Sequence, residues 1–143
     1  MTHLFRMCFL AAVSAALLCP VLASEPWRGR FVGEDLRANL VIDLYEESVE
    51  VPDMEMFGPM HGYLNGSDVY RMWYVTRAEI TDSLHARIRV SNDLGSEAQA
   101  IELSFSNDST LVMRLVDGIS IKRVVKSKLQ RLPEYVTLHR KRQ

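Results

Sequence analysis

Cysteine is absent from most of this 143-residue chain, because both cysteines, Cys8 and Cys19, fall within the first 23 residues. A protein that loses those residues has no disulfide, so it must hold its fold together by burying side chains. Residues 24–143 are numerous enough for one hydrophobic core, which predicts a single domain.

Long hydrophobic runs are also absent, since none approaches the roughly 20 residues that a membrane-spanning helix needs. The longest run, residues 7–18, follows the cation Arg6 and precedes the small residues Val21 and Ala23. This order is typical of a secretory signal peptide. We expect residues 1–23 to be removed near Ala23, which predicts a periplasmic or extracellular protein.

Motifs for catalysis are missing as well. The chain has no Gly-x-Ser-x-Gly elbow, no phosphate-binding loop and no His-Glu-x-x-His zinc motif, and its cysteines lie in the predicted signal. We therefore predict a protein that is not an enzyme and holds no cofactor. Residues 24–121 carry eight Lys and Arg against 17 Asp and Glu, an acidic balance that argues against a nucleic-acid partner.

Basic residues are instead concentrated in residues 122–143, where eight Lys and Arg accompany the single acid Glu134. Such a segment predicts contact with an anionic surface. The alternative interpretation, which we favour, is that it packs on the acidic body of its own domain.

Short runs with alternating apolar residues dominate what the sequence does contain. In "NLVIDLY", "LHARIRV", "AIELSFS" and "TLVMRLV" every second residue is apolar, as in a strand with one buried face. Turn clusters such as "SNDLGSEA" and "VDGIS" separate them, and shorter runs such as "ESVEV" bring the count to eight to ten strands. The pattern predicts an all-β antiparallel meander that closes as a barrel, with a sandwich as the alternative. Helix signals are sparse, and the best are "GEDLRA" and "VVKSKLQRL".

The opening of the predicted mature protein, "PWRGRF", together with this meander, resembles the lipocalin-like (calycin) class. Members of that class have a Gly and a Trp near the start of the first strand, and the Trp closes one end of the barrel. Here Trp27 and Gly29 occur in the order Trp-x-Gly instead of Gly-x-Trp. The resemblance implies a barrel with one open mouth and a cavity for a small apolar or amphipathic ligand.

Residues 51–63, "VPDMEMFGPMHGY", form the least regular connection in the meander, and we expect a functional loop near the mouth. Flexible methionines suit a surface that packs over a ligand. The candidate ligand-binding residues are Met54, Met56, Phe57, Met60 and Tyr63, joined by Trp73 and Tyr74 from "VYRMWYVTR". We expect at least one of Trp73 and Tyr74 to belong to the core.

Copper or silver binding is the alternative interpretation of the same loop. Met54 and Met56 would point to one side of an extended segment, and a turn at Gly58 would return Met60 or His61 towards them. The segment "VPDMEM" is similar to the Trp-Pro-acid-Met-x-Met element of small periplasmic copper and silver chaperones, with Val51 in place of the tryptophan. A third interpretation is an envelope protein that inhibits or assembles other proteins through its edge strands and its basic C-terminal segment.

Overall fold

The computed structural model describes residues 25–142. They form ten β-strands, one short 3-10 turn at Glu55–Phe57 and no α-helix. The strands are β1 (Arg28–Gly33), β2 (Asn39–Asp43), β3 (Gly62–Asn65), β4 (Trp73–Ile80), β5 (His85–Asn92), β6 (Ala98–Asn107), β7 (Thr110–Val116), β8 (Lys122–Val125), β9 (Lys128–Arg131) and β10 (Tyr135–Lys141).

Eight of these strands close an antiparallel barrel in the order β1-β10-β7-β6-β5-β4-β3-β2. The predicted meander barrel is confirmed. Closure comes from β10, the run "YVTLH", whose residues pair with β7 on one side and β1 on the other. Strands β8 and β9 form a separate hairpin between β7 and β10. The predicted signal peptide, residues 1–23, lies outside the described residues.

Side chains fill the interior of the barrel. The inward rows of the alternating runs become one buried cluster, in which each lumen residue is at most 4% exposed. An eight-stranded barrel can either be filled by its own side chains or hold one small ligand, and here side chains occupy the interior. The lumen residues are Phe31, Leu40, Ile42, Leu64, Trp73, Val75, Ala86, Ile88, Val90, Ile101, Leu103, Leu111, Met113, Leu115, Val136 and Leu138.

The two ends of the barrel are closed by different elements. At the end where β1 begins and β2 finishes, which we call the Trp27 end, Trp27 is 1% exposed and joins the core. At the opposite end, called the hairpin end because β8 and β9 lie there, the same cluster continues into Leu36, Val69, Ile121 and Leu132. The interior is therefore covered at both ends.

The expectation of a helix at "VVKSKLQRL" is wrong. Val124 pairs with Leu129 across the β8–β9 hairpin, and the two turn residues, Lys126 and Ser127, have φ values of 48° and 63°. Two successive positive φ values match a type I′ hairpin turn, whose twist suits the flanking strands. The apolar spacing suits a helix too, but Leu132 N–H bonds to Ile121 O at 3.0 Å and fixes the base of the hairpin.

The run "ESVEV" is also not a strand. Residues 44–61 form a long connection in which only Val49 and Met60 pair, through N–H···O bonds of 2.9 and 2.8 Å. This pair closes the base of a loop that carries the 3-10 turn. The connection joins β2 to β3 at the Trp27 end, so the loop is not beside an open mouth.

Candidate functional site

Trp27 joins three elements at its end of the barrel. Its indole N–H donates to the carbonyl of Asp82 in the β4–β5 turn at 3.0 Å, and its backbone N–H donates to the Tyr45 hydroxyl at 3.3 Å. Its ring centroid lies 4.7 Å from that of Phe105. The side chain thus closes this end of the barrel, as the resemblance implied.

Arg140, near the end of β10, covers the aromatic rings from outside. Its guanidinium carbon lies 4.7 Å from the ring centroid of Phe31 and 5.5 Å from that of Phe105. Its N–H groups donate to the carbonyls of Pro26, Arg28 and Asp108 at 2.8, 3.0 and 3.3 Å.

Gly29 makes this approach possible. A β-carbon at that position would lie 2.9 Å from Arg140 Nη1, closer than such contacts allow, and the φ of 147° further disfavours a side chain. In the Trp-x-Gly order, Trp27 therefore closes the barrel end, and Gly29 leaves room for the guanidinium of Arg140.

A depression of about 610 Å³ opens at this end, next to Arg140. Apolar and polar groups share its wall, and Leu84 is 52% exposed there. Among residues 25–142, Arg140 has no carboxylate within ion-pair distance, whereas Glu25 is held by Arg28 at 2.6 Å. The lining residues are Glu25, Pro26, Ser83, Leu84, Phe105, Ser106, Asn107, Asp108 and Arg140.

Partial burial alters the chemistry of Arg140. Desolvation lowers the pKa of its guanidinium, although Tyr45 and Asp108 act in the opposite direction. An arginine still stays protonated at every physiological pH. The depression therefore combines apolar surface with one permanent cation, Arg140, and two carboxylates, Glu25 and Asp108, of which Glu25 is paired with Arg28.

Asp43 organises the start of the 44–61 connection. Its side chain is 4% exposed and accepts hydrogen bonds from Arg28 Nε at 3.0 Å and Ser48 Oγ at 2.5 Å. It also accepts from the backbone N–H groups of Tyr45 and Glu46, each at 3.1 Å. Burial would raise the pKa of Asp43, but these hydrogen bonds and the Arg28 charge outweigh burial and lower it. The carboxylate is engaged in holding the turn.

The methionines predicted to act together have different surroundings. Met54 is 7% exposed, whereas Met56 is 86% and Phe57 66% exposed on the 3-10 turn. Met60 is half-buried and pairs with Val49 through the backbone. The segment is not extended, so the geometry that would place both thioethers on one side is not present.

His61, the nitrogen candidate for a metal, has a nearby backbone partner. Its Nδ1 lies 2.9 Å from the carbonyl oxygen of Asp43, and its Nε2 lies 3.9 Å from Glu47 Oε1. Within the described part of the chain, no three His, Cys, Asp or Glu side chains are grouped as a metal site would require.

The remaining predicted residues lie on two faces of the sheet. Trp73 is 1% exposed in the lumen, which confirms that one of this pair belongs to the core. Tyr63 and Tyr74 are cross-strand neighbours on the outer face, and both are half-buried. The structure therefore does not bring Trp73 together with Met56 and Phe57 on one surface.

Sequence reasoning did not identify the residues of the depression. The alternation in "LHARIRV" predicts that Leu84 belongs to the inward row, yet Leu84 precedes β5 and lies in the β4–β5 turn. Asp82, two residues before Leu84, is the sequence feature that indicates this turn, because its carboxylate accepts hydrogen bonds from the backbone N–H groups of Leu84 and His85 at 2.8 Å. Arg140 appeared only as one cation of a basic segment.

Comparison with known proteins identified no relatives: no family model, no curated protein and no solved structure matches the chain. In residues 25–142, no helix has the length and apolar character needed to span a membrane.

Proposed function

We propose that this chain is a non-enzymatic binding protein that acts outside the cytoplasm and binds a small anionic amphipathic molecule at the Trp27 end. The observation that carries the proposal is the depression beside Arg140, where Leu84 and Phe105 offer apolar surface next to a guanidinium that has no carboxylate within ion-pair distance among residues 25–142. Its volume of about 610 Å³ lies within the range of small-molecule sites.

The barrel supports this site as a rigid frame. The lumen is occupied by side chains, so the place for a ligand is at the barrel end and not in the interior. Trp27 and Arg140 tie the depression to strands on several sides, which limits the conformational entropy that binding would cost.

Binding without catalysis is the better proposal because the perturbed carboxylates are engaged in structure. The pKa of Asp43, Asp68 and Asp82 is lowered, and each accepts hydrogen bonds from a side chain and from at least one backbone N–H group. None of the three lines the depression. A catalytic carboxyl would instead face a substrate with a pKa suited to proton transfer.

Titration with the fluorescent anion anilinonaphthalene sulfonate tests the site. We expect a single site whose affinity falls about fivefold in Leu84→Ser, because contact with half of a leucine side chain contributes about 1 kcal/mol. Decanoate should displace the probe better than decanol, because only the carboxylate can pair with Arg140.

Phe57→Ser is the matched control, because it removes an exposed apolar side chain from the same end of the barrel. Its affinity for the probe should equal that of the unmodified protein. A loss in Phe57→Ser with none in Leu84→Ser would reject the depression and move the site to the 44–61 connection.

A further inference from the structure

The β8–β9 hairpin concentrates positive charge at the end opposite the proposed ligand site. Its ten residues, 122–131, include five Lys and Arg and no Asp or Glu. Among the described residues, none of these cations has a carboxylate within 4.0 Å, whereas Arg28, Arg87 and Arg114 are each paired. The hairpin cations are Lys122, Arg123, Lys126, Lys128 and Arg131.

The same hairpin exposes apolar side chains. Val124 and Leu129 are directly paired across the strands and are 51% and 50% exposed. Leu129 also lines a groove with Tyr70 and Leu94, which are 40% and 66% exposed. Glu97 is a carboxylate in that groove, and Arg71 and Lys122 line it too. By the strand register, Lys122 and Arg131 lie on the same hairpin face as Val124 and Leu129.

The tip of the hairpin carries a charged residue in a backbone conformation that is unfavourable for its side chain. Lys126 has a φ of 48°, in the left-handed region where Asn or Gly is preferred in such turns. A lysine there costs stability relative to Asn or Gly. The turn nevertheless places an exposed cation at the tip of the hairpin.

We propose that the β8–β9 hairpin docks the protein on an anionic lipid bilayer, with Val124 and Leu129 entering the headgroup boundary. Cations that surround a small exposed apolar face are the composition of elements that lie at a membrane surface. Each Lys or Arg near an anionic surface strengthens binding about fivefold. The hairpin forms its own two-stranded sheet and its residues 126–131 are exposed, so it can approach a bilayer without rearrangement of the barrel.

Vesicle partitioning of the protein, purified after export, tests the proposal. Vesicles that contain phosphatidylglycerol should bind it at low salt, and pure phosphatidylcholine vesicles should not. The variant Lys126→Gln with Lys128→Gln should bind roughly 25-fold more weakly, from the loss of two cations.

The matched control removes the same charge from the other end of the barrel, as Lys141→Gln with Arg142→Gln. These two exposed residues follow or end β10, and their loss should change partitioning less than about twofold because they lie away from the docked face. Equal losses in the two variants would overturn the proposal, because net charge alone would then explain binding. Failure of the unmodified protein to bind the anionic vesicles would overturn it as well.

A second variant, Val124→Thr with Leu129→Thr, separates a bilayer from a soluble polyanion while keeping residues suited to strands. We expect weaker partitioning to vesicles and unchanged binding to inorganic polyphosphate. Unchanged vesicle binding would refute insertion and indicate a surface for soluble polyanions. Thermal unfolding of each variant confirms that the barrel is intact, and the ligand titration at the Trp27 end should be unaffected in the two hairpin variants.

Discussion

Removal of the Asp43 carboxylate tests how the 44–61 connection is held. Asp43→Ala deletes an acceptor that serves Arg28, Ser48 and the backbone N–H groups of Tyr45 and Glu46. Arg28 is 43% exposed and keeps Glu25 as a partner, so water and that glutamate compensate for much of its loss. The cost therefore falls mainly on the two backbone N–H groups and the hydroxyl.

The expected magnitude follows from these contacts. A hydrogen bond to a charged group contributes about 1.5 to 3 kcal/mol, and partial solvation of the turn reduces the total, so we expect about 3 kcal/mol for Asp43→Ala. Asp43→Asn keeps one oxygen for the backbone donors, and we expect about 1.5 kcal/mol. For a domain of this size these losses lower the melting temperature by about 12 and 6 °C.

The pH dependence has a definite sign. The pKa of Asp43 is lower in the folded protein than in the unfolded chain, where it is about 3.9. Its stabilisation is therefore present above pH ~4 and is lost as the pH falls through the lower folded value. The stability difference between the unmodified protein and Asp43→Asn should be constant from about pH 5 to 7 and shrink in acid.

Urea unfolding of the three proteins across this pH range measures both effects. Equal stability of Asp43→Ala and the unmodified protein at pH 7 would refute the argument, as would a stability difference from Asp43→Asn that grows in acid. A loss in Asp43→Asn as large as that in Asp43→Ala would show that the cost comes from Arg28 and Ser48, which donate to Oδ2, and not from the backbone donors to Oδ1.

Two further predictions concern the buried side chain of Gln99 and the methionines of the 44–61 connection. Gln99 donates to the carbonyls of Val116 and Gly118, and in Gln99→Met we expect about 2 to 4 kcal/mol lower stability in urea, with no comparable loss in the exposed control Gln130→Met. Equal losses would contradict this role. In Cu(I) titrations we expect Met54→Leu with Met56→Leu to match the unmodified protein, because one thioether is buried and the other is in solvent. Tight, methionine-dependent uptake would favour the copper interpretation instead.

The barrel strands were predictable because alternation is a local property of the chain. In β5 the residues Ala86, Ile88 and Val90 are buried, and in β7 Leu111 and Met113 are buried, as the two-residue period requires. A run with one apolar row can stay folded only if that row faces a core. This constraint acts within each run and needs no knowledge of its neighbours.

Departures from alternation were not predictable. In "VYRMWYVTR" the period places Arg77 on the same face as Trp73, but a bulge between Val75 and Arg77 turns the arginine out of the lumen. Bulges depend on pairing with β5, so a single run does not reveal them. The hairpin at β8 and β9 was ambiguous for a similar reason. Its apolar spacing also fits a helix, and the hydrogen bond from Leu132 N–H to Ile121 O, which closes the hairpin, is not visible in the run itself.

The sequence by itself determined an all-β meander, its buried rows and the irregularity of residues 51–63, because these depend on spacing along the chain. Only the tertiary structure decided that Met54 is buried while Met56, two residues later on the 3-10 turn, is exposed, because burial depends on which other parts of the chain cover each side chain. It also decided that Arg140 donates to the carbonyls of Pro26 and Arg28 beside a depression, across more than a hundred residues of chain. Closure of the barrel brings β10 beside β1, and no local pattern contains that contact.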